Sequence, residues 1–274
     1  MITRVRAPAV AGTFYPADSD ELRATVESLL AEAGAGEAGS PRAERQQTPP
    51  KALVAPHAGY AYSGPVAASS YARLEGVAGA DIRRVVLLGP AHRWPFHGLA
   101  LPDVEAFATP LGEVALDATG VAAALGSRHV RVLDEAHHGE HSLEVHLPFL
   151  QITLGEFTLV PLVVGDATAG DVAEVLRLLW GGSDTIVIVS SDLSHFLSYD
   201  EALEIDGSTA AAIEALTPDK IGNHQACGRI PLGGLLMVAA ERGLRAHRED
   251  LRNSGDTAGP RDRVVGYGAW AFTE

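Results

Sequence analysis

The sequence predicts an α/β fold: a single domain with a largely parallel or mixed central sheet flanked by helices. Three observations carry this reading. Short apolar runs alternate with segments of helical periodicity from Lys51 to Glu274. The runs are continuously rich in Val, Ile and Leu, as in strands covered on both faces. Three of them stop at a turn signal followed by His or Asp, at the strand end where open α/β sheets bind ligands.

The elements follow in order. Asp18 and Ser19 are capping candidates for a helix over 18–33, where Leu22, Val26, Leu29 and Leu30 recur at helical spacing. Residues 34–50 are rich in Gly, Pro and Gln, hold no apolar residue larger than Ala, and read as a flexible surface segment within the one domain spanning 1–274. Strands are expected at 52–56, 84–90, 157–164, 185–191 and 264–272. Helices are expected at about 65–75, 117–126, 142–154, 168–181, 199–215 and 231–243.

Composition bounds the function. A chain of 274 residues with 46% hydrophobic content buries roughly three quarters of its unfolded surface without covalent support. The single cysteine, Cys227, allows no internal disulfide and fits a reducing cytoplasm. A net charge of −14 argues against nucleic-acid binding, which needs clustered Lys and Arg. No apolar stretch is long enough to span a membrane, and MITRVRAPAV lacks a signal-peptide core. Walker A, GxGxxG, GxSxG and CxxC patterns are all missing.

Polar residues at the strand ends supply the candidate chemistry. ALVAP runs into His57, RVVLLGP into Ala91 and His92, and TIVIVSS into Asp192, Leu193, Ser194 and His195. A single such histidine could equally hydrogen-bond its own loop. Two strand–Pro–His turns in one chain favour a site, because imidazole is both a common metal ligand and an acid/base near neutral pH. Asp192 could orient His195 or cap a helix. Cys227, before Gly228 and Arg229 at a helix start, could be a thiolate ligand or a small buried apolar residue. The segment 137–150 holds four histidines. On a helix His141 and Glu144 share a face, but the spacing is not that of a zincin, and a structural role for Glu144 or His146 is at least as well supported.

Seven segments in order span nearly the whole chain: PAVAGTFYP (8–16), APHAGYAYSG (55–64), LLGPAHRWP (87–95), EHSLEVHLPF (140–149), SSDLSHF (190–196), ACGRIPLG (226–233), and NSGDTAG followed by VVGYGA (253–269). Together they resemble the Memo family, whose bacterial and archaeal members are called AmmeMemoRadiSam system protein B. The resemblance implies a fold similar to class III extradiol (LigB-like) dioxygenases. It implies metal ligands at His57, His92 and Cys227, and an acid/base His195 with Asp192 beside it. It also implies Fe(2+), with Cu or Zn as alternatives, and AMMECR-like and radical SAM proteins as partners. One departure is Leu251, where bacterial members commonly carry Tyr.

Three functions are compatible with these residues. The first is a non-haem metal redox or dioxygenase-like protein acting on a small molecule or peptide. The second is a peptide- or protein-binding adaptor that keeps the pocket. The third is a zinc-dependent hydrolase. The domain reading makes its own prediction: deleting about ten residues within 34–50 should cost about 1 kcal/mol or less, because loop-closure entropy changes slowly with length. Urea denaturation of the deletion variant measures this, and a loss of several kcal/mol would show that the segment packs on the core.

Overall fold

The computed structural model describes residues 4–34, 49–75 and 82–274. The segment expected at 34–50 therefore lies mostly outside the described residues. The centre of the molecule is a parallel array in which β2 (Ala52–Ala55) pairs with β9 (Thr185–Ser190), β9 with β3 (Arg84–Pro90), and β3 with β8 (Thr158–Val164). Antiparallel partners extend it on both sides. On one side β12 (Val264–Thr273) pairs with β2 and carries β10 (His195–Leu197) and β11 (Arg245–Asn253). On the other, β4 (Leu99–Leu101) pairs with β8 and leads to β7 (Val130–Val132). The sheet is thus mixed, with a parallel core and antiparallel flanks.

The parallel strands are apolar throughout because both faces are covered. Leu53, Val85, Leu87, Ile186 and Ile188 pack on one side with Leu22, Val26 and Leu30 of α1 (Ser19–Gly34) and Tyr71 of α2 (Tyr60–Tyr71). Val54, Val86, Leu88, Val187 and Val189 pack on the other with Val172 and Leu176 of α6 (Ala169–Leu179) and Leu232 and Leu236 of α8 (Arg229–Glu241). Between α2 and α6 lie α3 (Ala118–Leu125), the single turn α4 (Asp134–His137) and α5 (Leu147–Leu154). The helix α7 (Tyr199–Glu214) follows β10. The five expected strands are all present. The helix expected at 65–75 instead begins at Tyr60 and carries Pro65 inside it.

Several strands escaped the sequence. Arg245–Asn253 is polar along its length because it pairs only with β12 at a sheet margin and needs no apolar pattern. The two-residue β1 (Val5–Arg6), with β5 (Ala106–Thr109) and β6 (Gly112–Ala115), forms a small separate sheet too short to leave a periodic signal.

Glu144 ties the N-terminal segment to the body of the fold. Its buried carboxylate accepts hydrogen bonds from Arg6 Nη1 (2.7 Å), the amides of Ala9 (2.7 Å) and Val10 (2.9 Å), and the hydroxyl of Tyr15 (2.7 Å). This explains the sequence PAVAGTFYP as a partner for Glu144. Glu144→Ala should cost about 3–5 kcal/mol in urea denaturation, since it removes the counter-ion of the part-buried Arg6 and strands the buried Val10 amide and Tyr15 hydroxyl. A loss below about 1 kcal/mol would show the network to be dispensable.

Two buried histidines set a pH dependence. His137 donates from Nε2 to the Ala100 carbonyl at 3.0 Å, and burial lowers its pKa from 6.5 to about 4. Burial lowers His146, whose Nδ1 meets the Tyr71 hydroxyl at 2.8 Å, to about 3. In the folded chain both stay neutral while the unfolded chain takes up protons below about 6.5, so stability falls as pH drops from there towards 4. Each group contributes roughly 1.4 kcal/mol per pH unit across that window. Denaturation at a series of pH values should show this slope, shallower in His137→Gln. An unchanged slope in the variant would remove His137 from the set.

Candidate metal centre

The site forms at the carboxyl ends of the parallel strands. His57 follows β2 and His92 follows β3. Asp192 follows β9, and His195 opens β10. Cys227 arrives from the turn before α8. His141 comes from the loop between α4 and the short helical turn Glu144–His146. One ring nitrogen from each of His57, His92 and His141 lies within 4.8 Å of the other two. The His92 and His141 rings stack at 4.8 Å and 20°, and His57 meets both edge-on at 5.1 and 5.5 Å.

Two glycines allow the strand ends and loops to close on one another. A Cβ on Gly89 would meet Ser142 Oγ at 2.8 Å and Leu143 Cδ2 at 2.9 Å. A Cβ on Gly228 would meet the Ser190 carbonyl at 2.4 Å, so only glycine lets Cys227 approach the end of β9 this closely. The thiol Sγ then sits 3.5 Å from His57 Nε2 and accepts a hydrogen bond from the Asp192 amide at 3.2 Å. Asp192 Oδ1 accepts from the His57 amide at 2.7 Å, and its Oδ2 lies 4.0 Å from His57 Nε2.

His57 Nδ1 lies 2.6 Å from Ser190 Oγ, and His92 Nδ1 lies 2.9 Å from Glu140 Oε1. His195 Nδ1 donates to the Leu193 carbonyl at 2.8 Å. These contacts engage the Nδ1 side of each ring. His141 Nδ1 is buried with no hydrogen-bond partner.

Burial dominates the electrostatics. His57 is pushed well below the usual imidazole range by burial, and then by the neighbouring His92 and His141. His141 is lowered for the same first reason. Glu140 goes the other way: burial alone would raise it, but its hydrogen bonds and His92 bring it down to about 2. Burial, with Asp192 close by, raises the Cys227 thiol, and burial raises Asp192. Without an ion, burial thus favours the neutral forms of His57, His141 and Cys227.

This donor set fits a transition-metal ion. Imidazole binds metal only when neutral, and burial keeps His57 neutral. The buried His141 Nδ1 makes no hydrogen bond and has only the Glu140 carboxylate nearby, at 3.5 Å. A bound cation would also reverse the penalty on a nearby thiolate. A cavity of about 340 Å³ opens beside the cluster, lined by His92, Arg93, Trp94, Phe96, Cys227 and Ile230, among others.

Of the residues expected from the sequence, the structure brings His57 and His92 into the group of three. Cys227 and Asp192 touch His57 from outside that group. His195 is anchored to the backbone nearby and is half-buried. His141 and Glu140 were missed. On a helix His141 and Glu144 would share a face, but the helical turn starts only at Glu144, and Glu144 faces Arg6 and Tyr15. The available signal was a histidine preceded by an acid in a segment dense with histidines.

The Memo-like protein family matches residues 6–271. A MEMO1 family protein of Aquifex aeolicus is 34% identical, covering 96% of this chain and 97% of the relative. MEMO1 family proteins of Sulfolobus acidocaldarius and Methanopyrus kandleri are 36% and 37% identical, over 96% and 97% of this chain and 97% and 98% of those relatives. With the seven sequence segments and the strand-end cluster, this match across nearly the full length establishes that the chain belongs to the Memo family.

Proposed function

We propose that this chain is a metal-dependent redox protein with a non-haem, dioxygenase-like site. The observation that carries the reading is the group of three imidazoles within 4.8 Å of one another, at the strand ends and beside an open cavity. His57, His92 and His141 would hold the ion, with Cys227 as an additional soft donor within reach of His57. Fe(2+) suits this mixture, with Cu or Zn as alternatives; such an ion would supply a Lewis acid or a one-electron redox couple.

The chain's own residues divide the remaining work. The 340 Å³ cavity admits a small molecule or one group of a larger one against His92 and Cys227. Asp192 fixes the His57 backbone and stands close to the ring, so its buried carboxylate biases the charge of the site. His195 keeps Nε2 available for taking and giving a proton, because its Nδ1 is committed to the Leu193 carbonyl. A base and a ligand make opposite demands on an imidazole, which is why His195 belongs to proton transfer.

A second reading has a specific observation behind it. Three histidines with an open position also constitute the donor set of a catalytic zinc site, which hydrolyses through bound water. Protein purified without oxygen or chelator distinguishes the two: metal content, then consumption of O2 with catechols and other small reductants. Fe or Cu with O2 uptake supports the redox reading, whereas Zn with O2-independent hydrolysis replaces it. His57→Ala and His141→Ala should each abolish tight metal binding, and Cys227→Ala should weaken it. His195→Ala should keep the metal and lose turnover. Full metal stoichiometry in His141→Ala would dismantle the proposed ligand set.

A further inference from the structure

We propose that the tripeptide Glu140–His141–Ser142 is the positioning element of the whole cluster, setting the tautomers of His57 and His92 before any ion arrives. This rests on the metal-binding reading above and goes beyond it, because the ring orientation is a property of the chain alone.

Donor–acceptor accounting carries the argument. The Glu140 carboxyl is buried and faces three backbone amides, which can only donate, so it is the acceptor of its contacts. It takes the His92 amide at 2.6 Å on Oε2, and the amides of His141 and Ser142 at 2.9 Å each on Oε1. Its fourth contact, His92 Nδ1 at 2.9 Å, is then also a donor, which puts a proton on Nδ1 and, in the neutral ring, the lone pair on Nε2. Ser142 reaches His57 through Ser190. A carbonyl cannot donate, so Ser190 Oγ spends its one proton on the Ser142 carbonyl at 2.6 Å. Facing His57 Nδ1 at 2.6 Å, Ser190 can only accept. His57 therefore also carries its proton on Nδ1 and leaves Nε2 bare, towards Cys227.

The tripeptide is itself held rigidly. Arg6 donates to the Glu140 carbonyl and, at 3.0 Å, to the His137 carbonyl. Ser142 Oγ donates to the Pro90 carbonyl at 2.9 Å, tying the tripeptide to the strand that delivers His92. Three successive residues thus supply one ring and fix the other two. A side-chain acceptor behind a metal-binding imidazole sets its orientation and typically contributes 10–100-fold in metal affinity.

The closing experiment reads the tautomers directly. Long-range 1H–15N correlation spectra of ion-free protein with 15N-labelled histidine, recorded at alkaline pH, assign the protonated nitrogen of each ring. His57 and His92 should both be Nδ1-protonated. An Nε2-protonated His92 or His57 in the wild-type protein overturns the proposal. The variants should separate. Glu140→Gln should release the His92 tautomer and leave His57 unchanged, and Ser190→Ala should do the reverse. Each should weaken Zn2+ binding by about 10–100-fold with the circular dichroism of the folded protein preserved. Folded variants within about twofold of wild type in affinity overturn the positioning role. Should a variant fail to fold, the wild-type tautomers still decide. Should the wild-type protein take up no Zn2+ at all, the metal reading fails while the tautomer result still tests this inference.

Discussion

The structure depends on a parallel four-strand array, β2–β9–β3–β8, covered on both faces. A strand buried on two sides has no room for an unpaired polar side chain, because each would cost several kcal/mol in desolvation. Ala52–Ala55, Val85–Leu88, Leu159–Val164 and Ile186–Val189 are accordingly apolar and buried to the last residue. Polar chemistry can begin only where the strands end. His57, His92 and Asp192 take those first positions, and the parallel direction puts them at one end of the sheet. The fold therefore concentrates the titratable groups without any of them having to stabilise it.

Concentration at a buried end has an electrostatic consequence. Several histidines packed within ring-contact distance cannot all be protonated, and burial already opposes charge on His57 and His141. His57 and His141 are driven towards the neutral form by the same desolvation that keeps His137 and His146 neutral in the core. The partners differ. His137 satisfies Nε2 on a backbone carbonyl, and His146 spends Nδ1 on Tyr71. His57 and His92 have their Nδ1 sides engaged, and His57 turns Nε2 towards Cys227. His146 leaves Nε2 uncommitted as well, so the partners alone do not divide packing from ligand roles; membership of the group of three at the strand ends does.

Rigid support around the cluster comes from sequence-distant segments. Glu140 and Glu144, four residues apart, look in opposite functional directions: Glu140 binds the His92 loop, and Glu144 binds the N-terminal segment. Arg6 bridges them, contacting the Glu140 carbonyl and the Glu144 carboxylate. On the far side of the site, Phe196 adopts φ 62° and is 60% exposed, with the Arg263 guanidinium 4.7 Å from its ring centre. A left-handed conformation costs a bulky residue energy that only its surroundings can offset. It occurs here directly after His195, in the middle of β10, where the register with β12 shifts.

The sequence alone determined the class of fold and two of the three clustered histidines. Short continuous Val, Ile and Leu runs between turn signals fit strands covered twice, and a His just past a strand–Pro turn lies at the strand end. His57 and His92 were legible for that reason, and the seven segments were legible as a family resemblance. Tertiary structure decided the rest. His141 has no strand before it and looked helical, and its place beside His57 depends on a hydrogen bond from Ser190 to Ser142 across 48 residues. Glu140 was invisible because a carboxylate's role depends on which donors surround it, and its His92 donors lie 48 residues away. Polar β11 became a strand only because β12 offered it an edge. Local pattern records which faces are buried, since burial constrains every residue along an element. It does not record which two loops meet, because that contact is settled by the packing of the elements between them.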